Sequence, residues 1–129
     1  MKNIFLALLI IISSSVLANS NFITDNSLSV IHTPDEPPEF PGGQAQFMEF
    51  VRENYITPEV AKANGISGKI WYSFVITKTG EVANIKIIKG LCDSCDAEAV
   101  RVLNAMPIWQ PGLQHGQPVN VMLRGMLKV

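Results

Sequence analysis

The 129-residue chain is poor in charge: 16% of its residues are Asp, Glu, Lys or Arg, and ten cations nearly balance eleven acids, for a formal net charge of −1. Without an excess of cation it lacks the electrostatic footprint of a nucleic-acid binder, because phosphate recognition needs clustered Lys and Arg. Histidine is limited to His32 and His115, and cysteine to Cys92 and Cys95. A closed zinc site would need two ligands beyond those cysteines, and the histidines fall in a tail and a loop, so no metal is expected. There is no Ser/His/Asp order, no glycine-rich loop to cradle phosphate and no carboxylate pair on a shared face. The expectation is a protein without cofactor or small-molecule substrate, and not an enzyme. What the chain does have is apolar residues, 47% of the total, which argues against disorder over most of its length.

The first residues carry an address. Lys2 precedes an apolar run from Ile4 to Ile12, and Ser13-Ser14-Ser15-Val16-Leu17-Ala18 follows. A charged start, a short apolar middle and a small-residue exit read as a secretory signal cut after Ala18. Spanning a bilayer takes roughly 20 apolar residues, and this run falls short. Residues 19–38 are polar, first Ser/Asn-rich and then rich in Pro and acid, which suits a tether with a reach of about 70 Å at most. The domain proper is expected over residues 39–129.

Within it, Glu39-Phe40-Pro41-Gly42-Gly43 is a turn-rich entry to a helix over residues 43–54, in which Phe47, Phe50 and Val51 recur at helical spacing. A shorter helix follows, with Thr57 as its cap, Pro58 at its first position and Asn64-Gly65 at its end. From Lys69 the period becomes two: Ile70, Tyr72, Phe74 and Ile76 alternate with more polar neighbours, the pattern of a strand with one buried face. Lys78-Thr79-Gly80 makes a hairpin loop, and the return strand over 82–89 turns Ile85 and Ile87 inward, with Val82 out of phase and marking a bulge. A helix over 96–106 carries Ala99, Val100, Leu103 and Met106 on one stripe and stops at Pro107. Trp109-Gln110-Pro111-Gly112 and His115-Gly116-Gln117-Pro118 read as loops. The chain closes on a strand with Val119, Val121, Leu123, Leu127 and Val129 on one face and Asn120, Met122, Arg124 and Lys128 on the other.

These elements make an α+β two-layer sandwich, a three-stranded antiparallel sheet with helices packed on one face. A last strand paired beside the first would lie at the sheet's edge, and an edge is a template for another strand.

The order of several short motifs resembles the C-terminal domain of TonB, the energy transducer that couples the inner membrane to outer-membrane transporters. The resemblance rests on Pro38-Glu39-Phe40-Pro41-Gly42-Gly43, Asn64-Gly65-Ile66-Ser67-Gly68, Thr79-Gly80-Glu81-Val82, Glu98-Ala99-Val100-Arg101-Val102 and Met106-Pro107-Ile108-Trp109-Gln110-Pro111-Gly112. Thr57-Pro58 stands where that family has Tyr-Pro, with Tyr55 close by. The resemblance implies a periplasmic adaptor that captures the Ton box of an outer-membrane transporter, or another component of the Ton system, by adding its extended chain to the sheet. It places partner binding on Val119, Asn120, Val121, Met122, Leu123, Arg124, Gly125, Met126 and Leu127, with Asn54 as a polar neighbour. Pairing of two copies edge to edge uses the same physics and makes a homodimer an alternative. Proteins like TonB keep an uncleaved anchor and a long Pro-rich spacer; here the apolar run and the tether are both short, so a free periplasmic domain is expected.

Cys92-Asp93-Ser94-Cys95 supports two readings. Placed before a helix it resembles a dithiol site, since a helix N-terminus lowers a thiol's pKa, and a small exported redox protein is the alternative function. A structural disulfide closing the turn is the other reading, and an oxidising compartment favours it.

Overall fold

The computed structural model describes residues 30–129; the expected signal and the first part of the expected tether lie outside the described residues. Eight elements follow in the order β1 (Val30–Ile31), α1 (Gln44–Asn54), α2 (Glu59–Ala63), β2 (Lys69–Ile76), β3 (Val82–Lys89), α3 (Asp93–Asn104), β4 (Gly112–Gln114) and β5 (Gln117–Lys128). The two-layer α+β arrangement holds, but the sheet has five strands rather than three, in the order β1-β5-β2-β3 with β4 paired to β5. The long strands β2, β3 and β5 are the expected ones. β1 and β4 have two and three residues, too few for a period-two pattern to register.

The β2 alternation buries Ile70, Tyr72, Phe74 and Ile76 against α1 and α3, and Phe47, Val51, Ala99, Val102 and Leu103 answer from the helices. Trp109 is the centre of an aromatic cluster, with Phe40, Phe47 and Phe74 at ring-centroid distances of 5.4, 5.2 and 5.7 Å in edge-on geometry. Edge-on aromatic pairs add to the benefit of burial. The Trp109 Nε1–H is buried in this cluster and has no hydrogen-bond partner among the described residues. Gly80 closes the β2–β3 hairpin at φ 86, and any side chain there would strike the Trp109 carbonyl, 2.0 Å from where its Cβ would stand. The hairpin tip and the Trp109 segment are thus locked together, with the Trp109 N–H donating to the Gly80 carbonyl at 2.9 Å.

Several local expectations move. α2 is capped at Pro58, not Thr57, and starts one residue later. The bulge of β3 falls at Asn84, φ 49, and Val82 packs against the core. α3 begins three residues before the expected 96, because the Cys92 sulfur accepts the Cys95 N–H and caps the helix. Its buried stripe takes Val102 in preference to Val100. Gly112 and His115-Gly116, expected in loops, belong to the β4–β5 hairpin. On the face of β2 away from the helices, Ser73 and Val75 are buried despite their outward phase, while Trp71 is 44% exposed.

Candidate functional site

β5 is the element on which every sequence argument converges. It pairs antiparallel with β2 in an unbroken register, Lys69 abreast of Lys128 through Ile76 abreast of Val121. At the end of this ladder Gly68 and Val129 exchange both backbone bonds, at 2.8 and 3.3 Å. In an antiparallel ladder such pairs alternate with pairs whose peptide groups point away. Leu127, Gly125, Leu123 and Val121 therefore spend their backbone groups on β2. Met122, Arg124, Met126 and Lys128 direct theirs to the far side of the strand.

The first part of that far margin is already in use. Asn120 and Val121 lie abreast of Val30 and Ile31 of the parallel β1, while ahead of the β2 ladder Gln117, Pro118 and Val119 are taken up in the hairpin with β4. The expectation of an open edge over the whole of residues 119–127 is corrected accordingly, because the returning lead-in covers its beginning and Val119 belongs to the hairpin with β4. From Arg124 to Lys128 nothing pairs with the far side of β5 among the described residues. The lead-in is itself fastened down: Glu36 exchanges backbone bonds with Leu113, Glu39 does so with Gln110, and the His115 N–H donates to Asp35 at 2.8 Å. The described part of the 19–38 segment thus lies on the domain.

The expected site residues separate by position. Asn120 is 6% exposed and its side-chain oxygen accepts the Lys78 N–H at 2.9 Å, so it pins the β2–β3 hairpin. Asn54 ends α1, where its side chain bonds to the Phe50 carbonyl and its own carbonyl accepts Arg101. It is held toward α3 and does not line either depression beside the margin. Val121 and Leu127 are buried, and Leu123 packs against the core. Arg124 is exposed and Met122 and Met126 are half-buried, on the face away from the helices.

Gly125 has a structural reason to be glycine. Its missing Cβ would stand 2.6 Å from the Tyr72 hydroxyl, so the tyrosine ring lies flat over the strand at that point. Burial pushes the Tyr72 hydroxyl up to about 12, keeping it neutral. On the helix side, a groove of about 280 Å³ runs between α1 and the end of β5, lined by Met48, Val51, Arg52, Tyr55 and Met126 to Val129. It was missed in the sequence because its two walls lie far apart in the chain. The one available sign is Met48, an apolar residue off the buried stripe of α1 and 52% exposed.

An ion pair within α3 ties that helix to the backbone at the end of α1, where Arg101 donates to the Asn54 carbonyl. Glu98 takes both the Nε and a terminal nitrogen of Arg101, at 2.7 and 2.6 Å, and accepts the Ile56 N–H at 2.9 Å. The Arg101 guanidinium, aided by that N–H, holds the Glu98 carboxyl below its ordinary range. Tyr55 donates its hydroxyl to the Cys95 carbonyl at 3.1 Å, and burial raises its pKa. Cys92 and Cys95 are joined by a disulfide with Cα atoms 5.0 Å apart, and Cys95 is fully buried. No cluster of His, Cys, Asp or Glu able to hold a metal occurs among the described residues.

No curated protein matches the chain. Two solution structures of the Helicobacter pylori TonB C-terminal domain are similar to it. One, of residues 194–285, is 20% identical with a TM-score of 0.49, over 66% of this chain and 89% of that one. The other, of residues 179–285, is 21% identical with a TM-score of 0.49, over 69% of this chain and 84% of that one. Residues 51–126, more than half of the chain, match the family described as Gram-negative bacterial TonB protein C-terminal, and the chain belongs to that family.

Proposed function

We propose that this chain is a periplasmic adaptor that captures an extended segment of another protein on the open margin of β5. The partner is the Ton box of an outer-membrane transporter, or a strand from another component of the Ton system, and the role is in energy-coupled transport across the outer membrane. Affinity comes from backbone pairing, which places little demand on the partner's side chains. No covalent chemistry is assigned to the domain. The carrying observation is the row of outward-directed peptide groups at Arg124, Met126 and Lys128, which faces no strand among the described residues. Family membership supports the same partner class. Export with a cut after Ala18 completes the reading and is checked by N-terminal sequencing of the secreted form.

Backbone amide exchange with and without a synthetic Ton-box peptide tests the site. The amides of Arg124, Met126 and Lys128 are expected to gain protection on binding, while those of Gly125 and Leu127, already committed to β2, change little. Binding that protects β3 amides instead would refute the assignment.

A further inference from the structure

The three long strands contain five cations, Lys69 on β2, Lys86 and Lys89 on β3, and Arg124 and Lys128 on β5, and no Asp or Glu. The whole chain is slightly acidic, so this is segregation of charge and not an excess of it. Register puts all five on one face. Lys69 is abreast of Lys128, Trp71 of both Lys89 and Met126, and Ser73 of both Lys86 and Arg124. Residues abreast of one another share a face, and this one is opposite to the core face of Ile70, Tyr72 and Phe74.

All five are exposed, and none has an ion-pair partner among the described residues. The ion pairs there join Arg52 to Glu49, Lys62 to Glu59, Arg101 to Glu98 and His115 to Asp35. Lys69 directly opposite Lys128 is a like-charge pair, unfavourable until an anion lies nearby. Between the cations sit Trp71, 44% exposed, and Ile88, 56% exposed, the latter at a break in the β2–β3 register. With Met126 they border a depression of about 590 Å³. An apolar, aromatic centre ringed by uncompensated cations is a recognition surface and not merely a solvated one.

We infer that this face docks an acidic polypeptide, with carboxylates among Lys69, Lys89, Arg124 and Lys128 and an apolar side chain beside Trp71. A polypeptide is favoured over nucleic acid or anionic lipid because the face runs without a break onto the β5 margin. The residues that send peptide groups outward, Arg124, Met126 and Lys128, are the ones whose side chains stand on this face. A strand added there presents every second side chain to the cations, and only a polypeptide uses both features at once. The choice of occupant rests on the proposed function; the charge of the face does not.

Three eight-residue peptides in which Val alternates with Glu, Gln or Lys test the inference, using the full chain, fluorescence anisotropy for affinity and amide exchange for the margin. The Glu peptide is expected to bind about tenfold more tightly than the Gln peptide at low salt, the advantage falling below about twofold when salt shortens the Debye length to a few ångströms. Arg124→Glu with Lys128→Glu should reverse the preference in favour of the Lys peptide. Lys69→Glu with Lys89→Glu, which leaves β5 untouched, should abolish most of the Glu advantage. Equal binding of Glu and Gln peptides with margin amides protected overturns the inference and leaves the proposed function standing. Glu-selective binding that alters Trp71 fluorescence without margin protection supports the inference and refutes the proposed function. Failure of all three peptides to bind overturns both. Tighter binding to phosphatidylglycerol vesicles or to a DNA oligonucleotide than to the Glu peptide overturns the assignment of a polypeptide.

Discussion

The sheet has two long outer strands, and they treat their free sides differently. β3 breaks register with β2 at two places, bends at Asn84 in the left-handed region and sets Lys86 and Lys89 outward. Bulges and edge lysines are the usual means of keeping a strand from pairing with another chain. β5 keeps one register with β2 over eight consecutive pairs, without a bulge. An evenly registered strand is a better template for another strand than a bulged one. On the proposed function, docking on β5 depends on backbone regularity before it depends on side chains.

Proline separates the two directions of the β5 backbone and gives the largest expected effect. Leu127→Pro removes a bond to β2 together with a buried side chain, and is expected to cost about 3 kcal/mol or more in denaturant unfolding. Met126→Pro spares the bonds to β2 and deletes an outward N–H together with a half-buried side chain; it should lower stability far less than Leu127→Pro while weakening Ton-box peptide binding more than about tenfold by calorimetry. If both variants lost binding only in proportion to stability, the distinction between the strand's two sides would be gone.

Next comes Gly125→Ala. A methyl group 2.6 Å from the Tyr72 hydroxyl must displace that ring. A cost of about 2 kcal/mol is expected. Spectrophotometric titration should find the displaced tyrosine ionising at a lower pH than the value of about 12 that burial imposes.

The helical support behind the groove is smaller in effect and depends on pH. The Glu98 carboxyl is held below its usual range in the fold, so its stabilisation is fully present above the unfolded value of 4.5. It is lost as the pH falls through the lower folded value. The loss over that acidic window is expected to be small, under about 1 kcal/mol, because solvent screens the Arg101 partner. Glu98→Gln should remove this acid-side slope, as followed by stability curves between neutral and acidic pH. Least of all in stability terms, Lys86→Ala with Lys89→Ala should change unfolding free energy by under about 0.5 kcal/mol. If edge charge guards β3, the same variant should raise concentration-dependent association in sedimentation.

Much of the architecture was readable because its signals are local. The period-two run of Ile70, Tyr72, Phe74 and Ile76 and the helical spacing of Phe47 and Val51 both report burial directly. Gly80 announced its hairpin by chemistry that few other residues supply. What stayed hidden depends on partners distant in the chain. The pairing of Val30 and Ile31 with β5 could not be inferred from two residues, and it decides how much of the edge is free. Asn120 appeared to be an outward polar residue, yet it lies under the Lys78 N–H, a contact that only the hairpin's position creates. The cations were each visible; their gathering on one face required the register of three strands.

The short strand β1 sets how much of β5 is left unpaired. The lead-in joins the sheet at Val30 and Ile31, beside the unpaired side of β5, before crossing to Leu113 and Gln110. Release of that two-residue pairing would leave the eight-pair β2–β5 ladder whole and lengthen the unpaired side of β5 by the stretch that β1 now covers.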